Sequence, residues 1–121
     1  MPVTTPELVV KDIRQSKIAP VYLLEGAEPY YIDLITNLIE EKALKPEERD
    51  FNLTQVYGKE TTMAQLMQHV RKFPMFAEKQ VVIVKEAQDM KELNDKAAGE
   101  KLLIPYLKNP QPSTILVICH K

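Results

Sequence analysis

Apolar residues along this chain gather in short runs separated by amphipathic stretches. Val21-Tyr22-Leu23-Leu24, Gln80 to Val84 and Thr114 to Ile118 are compact apolar or β-branched runs, with the length and make-up of buried strands. Phe51 to Tyr57 is a fourth strand candidate, closed by Gly58. Between the first two, Tyr31, Leu34, Ile35, Leu38 and Ile39 recur at i, i+3, i+4, i+7 and i+8 behind Pro29, which predicts one helical stripe. Met63, Leu66, Met67 and Val70 form a second stripe, preceded by Thr62 and Gln65 at capping-box spacing. Arg71 and Lys72 suit the last turn of that helix, and Pro74 prevents its continuation.

The flanking segments are less sharply marked. Thr4 and Glu7 repeat the capping-box spacing, Pro6 fits an early helix position, and Leu8, Val9 and Ile13 form an apolar edge. A short opening helix is expected there, stopped by Pro20. Lys45-Pro46-Glu47-Glu48 reads as a solvated loop, and Asp89 to Gly99 as a polar stretch of weak pattern. Leu102, Leu103, Tyr106 and Leu107 suggest a further helix, kinked by Pro105 or begun by it. Asn109-Pro110-Gln111-Pro112 is a turn.

Strands alternating with helices predict an α/β domain. Its sheet should be mostly parallel and covered on both faces. The 121 residues suit a single domain over 1–121, since domains commonly hold roughly 100–150 residues. A parallel sheet normally runs on into another crossover after each strand, whereas this chain ends at His120-Lys121. A piece of a longer protein is therefore expected.

Charge narrows the partners. Sixteen Lys and Arg against seventeen Asp and Glu leave a net charge of -1, which argues against an autonomous nucleic-acid grip with its basic face. No run approaches the roughly 18–20 apolar residues of a membrane span. The start, Met1-Pro2-Val3-Thr4-Thr5-Pro6, lacks the basic-then-apolar order of a secretory signal. A single cysteine, Cys119, cannot form an internal disulfide and suits a reducing, cytoplasmic setting.

The places where an open α/β sheet does chemistry are poorly equipped. Ligands bind beyond the carboxyl ends of the strands, first at Glu25-Gly26-Ala27-Glu28-Pro29-Tyr30-Tyr31-Ile32. A phosphate loop reads G-x-x-x-x-G-K-[ST]. Gly26 matches its first glycine, but Tyr31 stands for the second, Ile32 for the lysine and Asp33 for the Ser/Thr. Ala27 brings nothing to a phosphate, and Glu25, Glu28 and Asp33 would repel one. The loop is degenerate, and no nucleotide or other cofactor is expected. After Val84, a magnesium-binding acid would be needed first; Lys85 precedes Glu86, which reads as a solvated charge. His69 sits beside an apolar helix face as a boundary residue. Cys119 and His120 lack further metal ligands, and Cys119 reads as a small residue at a strand end. Glu40-Glu41 and Glu47-Glu48-Asp50 read as solvated acids.

One feature is unexplained by these elements. Phe73-Pro74-Met75-Phe76 places three large apolar residues in the break between a finished helix and a coming strand. Either they fold back on the core, or they protrude as a wedge for a partner's pocket, where aromatic and Met side chains commonly anchor contacts.

Three segments in order resemble the N-terminal domain of the DNA polymerase III delta subunit family of bacterial clamp loaders. They are Val21 to Tyr30 at the ruined phosphate loop, Phe73 to Gln80 leading into a β-branched strand, and Asn109 to Ile118. The resemblance runs over nearly the whole chain. It implies a P-loop NTPase or AAA+-like three-layer domain without ATPase chemistry, in a non-catalytic component of the DNA-directed DNA polymerase III holoenzyme. It implies binding to the beta sliding clamp and help in opening that ring, with DNA met only indirectly. Met75 and Phe76 match the family's hydrophobic pair, with Phe73 beside them and Pro74, Arg71 and Lys72 in support. Arg71 and Lys72 stand where a Gln is often found, and Pro74 is a local difference. Contacts to other loader subunits would use regions absent from this chain. Two other classes share the pattern: a nucleotide-binding enzyme of flavodoxin-like or Rossmann-like type, against which the loop at Gly26 stands, and an interaction module unrelated to replication.

Overall fold

Four parallel strands form the centre of the computed structural model, which describes residues 6–25, 29–74, 77–90 and 104–120. In chain order these are α1 (Pro6–Arg14), β1 (Val21–Glu25), α2 (Pro29–Ala43), α3 (Arg49–Asn52), β2 (Leu53–Tyr57), α4 (Met63–Arg71), β3 (Gln80–Lys85), α5 (Ile104–Lys108) and β4 (Thr114–His120). The sheet order is β1-β4-β3-β2. Its register sets Val21 beside Leu116, Gln80 beside Thr114, and Leu53 beside Val81.

This order explains the layers. The connection from β1 to β2 crosses the sheet in one direction, while those from β2 to β3 and β3 to β4 step back in the other. Right-handed crossovers therefore put α2 on one face and α4 and α5 on the opposite face. The strand residues divide accordingly. Val81, Ile83, Ile115 and Val117 pack with Ile13 of α1 and with Ile35 and Ile39 of α2. Val82, Val84, Leu116 and Ile118 pack with Met63, Leu66 and Val70 of α4 and with Tyr106 of α5. Val81 to Val84 are wholly buried, each worth about 1.5–3 kcal/mol over an exposed side chain. A three-layer α/β domain with a parallel sheet is thus observed.

Local signals placed several boundaries correctly. The Thr62 hydroxyl accepts from the Gln65 amide at 3.2 Å, and Gln65 Oε1 accepts from the Thr62 amide at 3.0 Å. The stripe behind this capping box is buried throughout. Pro105 lies in the first turn of α5.

Other expectations need correction. α1 ends at Arg14, well before Pro20. Ser16 takes a left-handed conformation (φ 62°), and the Lys17 and Ser16 amides return to the carbonyls of Asp12 and Ile13. That is a Schellman closure with serine in the place usual for glycine. Phe51 and Asn52 belong to the helical turn α3 rather than to β2. There Asn52 is buried and donates to the Glu48 carbonyl. Pro46–Glu48 is a 3-10 turn closed by Glu48 Oε1 on the Lys45 amide, not a plain solvated loop. Lys72 is already extended, so of Arg71 and Lys72 the first alone lies in the last turn of α4. β1 is an edge strand of the described sheet, with Leu23 48% exposed. Met90, inside the stretch read as polar and unpatterned, is a core residue. Thr4, Leu102 and Leu103 lie outside the described residues.

Gly58 closes β2 for a packing reason. A Cβ there would sit 2.3 Å from the Glu86 carbonyl oxygen, on a backbone held left-handed at Glu86 (φ 54°). Neither side can give without moving main chain. Gly58→Ala is expected to cost about 1–3 kcal/mol, the usual range for forced overpacking, read as a lower urea midpoint with an unchanged slope.

Candidate partner-binding surface

Helix α4 brings the chain to the amino end of the sheet. Carbonyls at a helix end run short of intrahelical donors; that of His69 keeps a long bond from the Lys72 amide at 3.4 Å, and two buried polar side chains from the strands supply further donors. Gln80, 5% exposed, shares its amide protons among the carbonyls of His69 (3.2 Å) and Lys72 and the Thr114 hydroxyl (2.8 Å). Thr114 donates to the Val70 carbonyl at 2.8 Å. Gln111 Nε2 reaches the Lys72 carbonyl at 2.9 Å. The end of α4 and the starts of β3 and β4 are tied in one junction.

Phe73 emerges directly from this junction and is 76% exposed. For Phe73, then, folding back on the core is not what the structure shows. Pro74 is half-buried; Arg71 and Lys72 are exposed. Met75 and Phe76 lie outside the described residues. On the far side of them, Ala77, Glu78 and Lys79 border an open groove of about 1130 Å³, whose opposite wall includes Glu40, Lys45 and Arg49. Acids and bases both line it, so it presents no single sign of charge. Among the described residues no cluster of His, Cys, Asp or Glu could hold a metal.

The end of β1 and the start of α2, which flank the degenerate phosphate loop in sequence, lie at the opposite end. Parallel strands put the residues after β1 at the carboxyl edge and those before β3 at the amino edge, about 15–20 Å apart for strands of five or six residues. Gly26, Ala27 and Glu28 lie outside the described residues. Ile32, in the lysine position, is half-buried among the residues packing α1, α2 and the sheet. Tyr31, in the second glycine's position, meets Tyr30 edge to face at 5.2 Å and donates to Glu7 of α1 at 3.3 Å. These two positions are engaged in packing α2. Glu86, expected as a solvated charge, is half-buried, and its carboxylate accepts from Gln88.

Comparison with known proteins now decides the family. The family model for the DNA polymerase III delta subunit matches residues 22–121. The chain belongs to the DNA polymerase III delta subunit family. The Bacillus subtilis DNA polymerase III subunit delta is 28% identical over 113 residues, which are 91% of this chain and 33% of that protein. The solved Bacillus subtilis DNA clamp loader delta protein superposes with a TM-score of 0.83 at 26% identity, over 96% of this chain and 35% of that one. A DNA polymerase III gamma subunit-related protein of Thermotoga maritima shares the fold, with a TM-score of 0.62 at 13% identity over 98% of this chain and 40% of that one. The chain spans about one third of the length of its Bacillus relatives.

In this delta-family chain, sequence reading picked out the exposed Phe73 but missed the junction beneath it. Gln80 and Thr114 read as the first residues of apolar runs, and nothing local reveals that they face a helix end. Nor does the structure make Cys119 a nucleophile. It is 5% exposed in the α1–α2 core, and burial pushes its thiol up from 9.0 to about 11. Because the folded value is the higher one, folding stability falls as pH climbs from about 9 towards 11. At pH 8 the folded chain should react with a thiol reagent at least about 100-fold more slowly than the urea-unfolded chain, two pKa units being two decades of thiolate. Similar rates would show the thiol to be open.

Proposed function

We propose that this chain is the sliding-clamp-engaging domain of a clamp-loader subunit, and that it works by binding and not by catalysis. Family membership supports the clamp-loader setting and favours it over an interaction module unrelated to replication. The observation that carries the binding site is Phe73, an aromatic ring standing in solvent on a rigidly held helix end, at the sheet edge remote from the degenerate phosphate loop. Phe73, Met75 and Phe76 form the wedge, Pro74 stiffens it, and Arg71 and Lys72 flank it with positive charge.

Opening a closed ring requires no bond-making. It requires a partner that binds the opened ring more tightly than the closed one. Apolar anchors seated in a pocket supply that difference at typically 2 kcal/mol or more for each dominant side chain. Nucleotide chemistry falls to partner subunits, reached through parts of the full-length protein outside this chain, and DNA is contacted only through the clamp. The protein works in the cytoplasm.

The test is binding of the full-length protein to its organism's sliding clamp by surface plasmon resonance. Met75→Ser combined with Phe76→Ser should weaken binding by at least about 100-fold, since two anchors of about 2 kcal/mol each are removed, while thermal unfolding stays unchanged. Undiminished binding by the folded variant would remove the wedge.

A further inference from the structure

Building on the clamp-binding reading, we propose that the turn from Gln111 to Ser113 is the mount that sets the direction of the wedge, with Gln111 as its positioning residue. Both legs of the loop are fastened to this one turn. On the incoming leg, Gln111 Nε2 donates to the Lys72 carbonyl at 2.9 Å, next to Phe73. On the outgoing leg, Lys79 Nζ donates to the Pro112 carbonyl at 2.7 Å, and the Gln80 amide to the Ser113 carbonyl at 2.8 Å.

The turn is suited to the task. Pro110 and Pro112 fix φ on either side of Gln111 and carry no amide to satisfy. Gln111 is braced within the turn as well, its Nε2 lying 3.1 Å from Ser113 Oγ and 3.3 Å from Thr114 Oγ1. The Thr114 amide returns to the Gln111 carbonyl at 3.1 Å. Gln80 and Thr114 are buried and hold the helix to the sheet, so they serve the fold. Gln111 is only half-buried and Lys79 is exposed, so their bonds fix the loop without being needed for the core. A loop held before binding loses less conformational freedom on docking, which favours affinity.

Gln111→Glu keeps the shape and removes the donor; Lys79→Met releases the outgoing leg; Gln111→Ala serves if the carboxylate disturbs folding. In the full-length protein without clamp, each should speed tryptic cleavage after Lys72 by about tenfold, the scale of one lost hydrogen bond, with the unfolding midpoint unchanged and cleavage elsewhere unchanged apart from the site that Lys79→Met itself removes. Clamp affinity should fall about 5- to 30-fold with the wedge side chains intact. Unchanged cleavage after Lys72 overturns the mount, and so does faster cleavage with full clamp affinity. Failure of the parent protein to bind the clamp overturns the proposed function instead, while the cleavage rates, read without clamp, still decide whether the turn holds the loop.

Discussion

The carbonyls of His69, Val70 and Lys72 at the end of α4 take side-chain donors from outside the helix, and the amino end of the sheet is organised around them. Gln80 and Thr114, at the amino ends of the two central strands, supply donors from inside the sheet. A hydrogen bond of this kind contributes only about 0.5–1.5 kcal/mol net, but a buried acceptor left bare costs about 1–3 kcal/mol. The arrangement is therefore nearly obligatory once the helix ends there. It locks helix end, strand starts and the exit of the following loop into one rigid piece. Phe73 is exposed on that piece, so its position follows from a buried polar contact a few ångströms away.

An all-parallel sheet separates its two edges along the whole strand length, and this chain uses that separation unequally. The carboxyl edge is where nucleotides bind in sheets of this kind. Here Tyr31 and Ile32 occupy the positions a phosphate loop gives to glycine and lysine, and both pack α2 in place. The amino edge carries the exposed aromatic residue and an open groove of mixed charge beside it. On the proposed function, the fold serves as a stiff platform for partner contact at the amino edge.

Much of this was legible in the residues, for a local reason. The capping box at Thr62 and Gln65, the stripe of α4 and the β-branched runs of β3 and β4 are short-range signals, and each element formed where they pointed. The misses are tertiary. Ser16 closes α1 through backbone bonds that no serine advertises. Phe51 looks like a strand residue, yet Asn52 beside it finds the Glu48 carbonyl and keeps the turn helical. Met90 sits in a polar stretch and is drawn into the core by the turn before it. The exposure of Phe73 was undecided between two readings because composition is the same in both; only the path of the chain after Lys72 separates them.

The most direct measurement is photo-crosslinking of the full-length protein, mixed with the sliding clamp proposed as its partner, from single positions at the two sheet edges. Phe73 at the amino edge and Tyr30 and Tyr57 at the carboxyl edge are all exposed aromatic sites, so accessibility does not favour one edge. A photoreactive residue at position 73 should capture the clamp, and one at 30 or 57 should not. Capture from 30 or 57 with none from 73 would contradict the account, placing the partner at the edge that the sheet reserves for nucleotides.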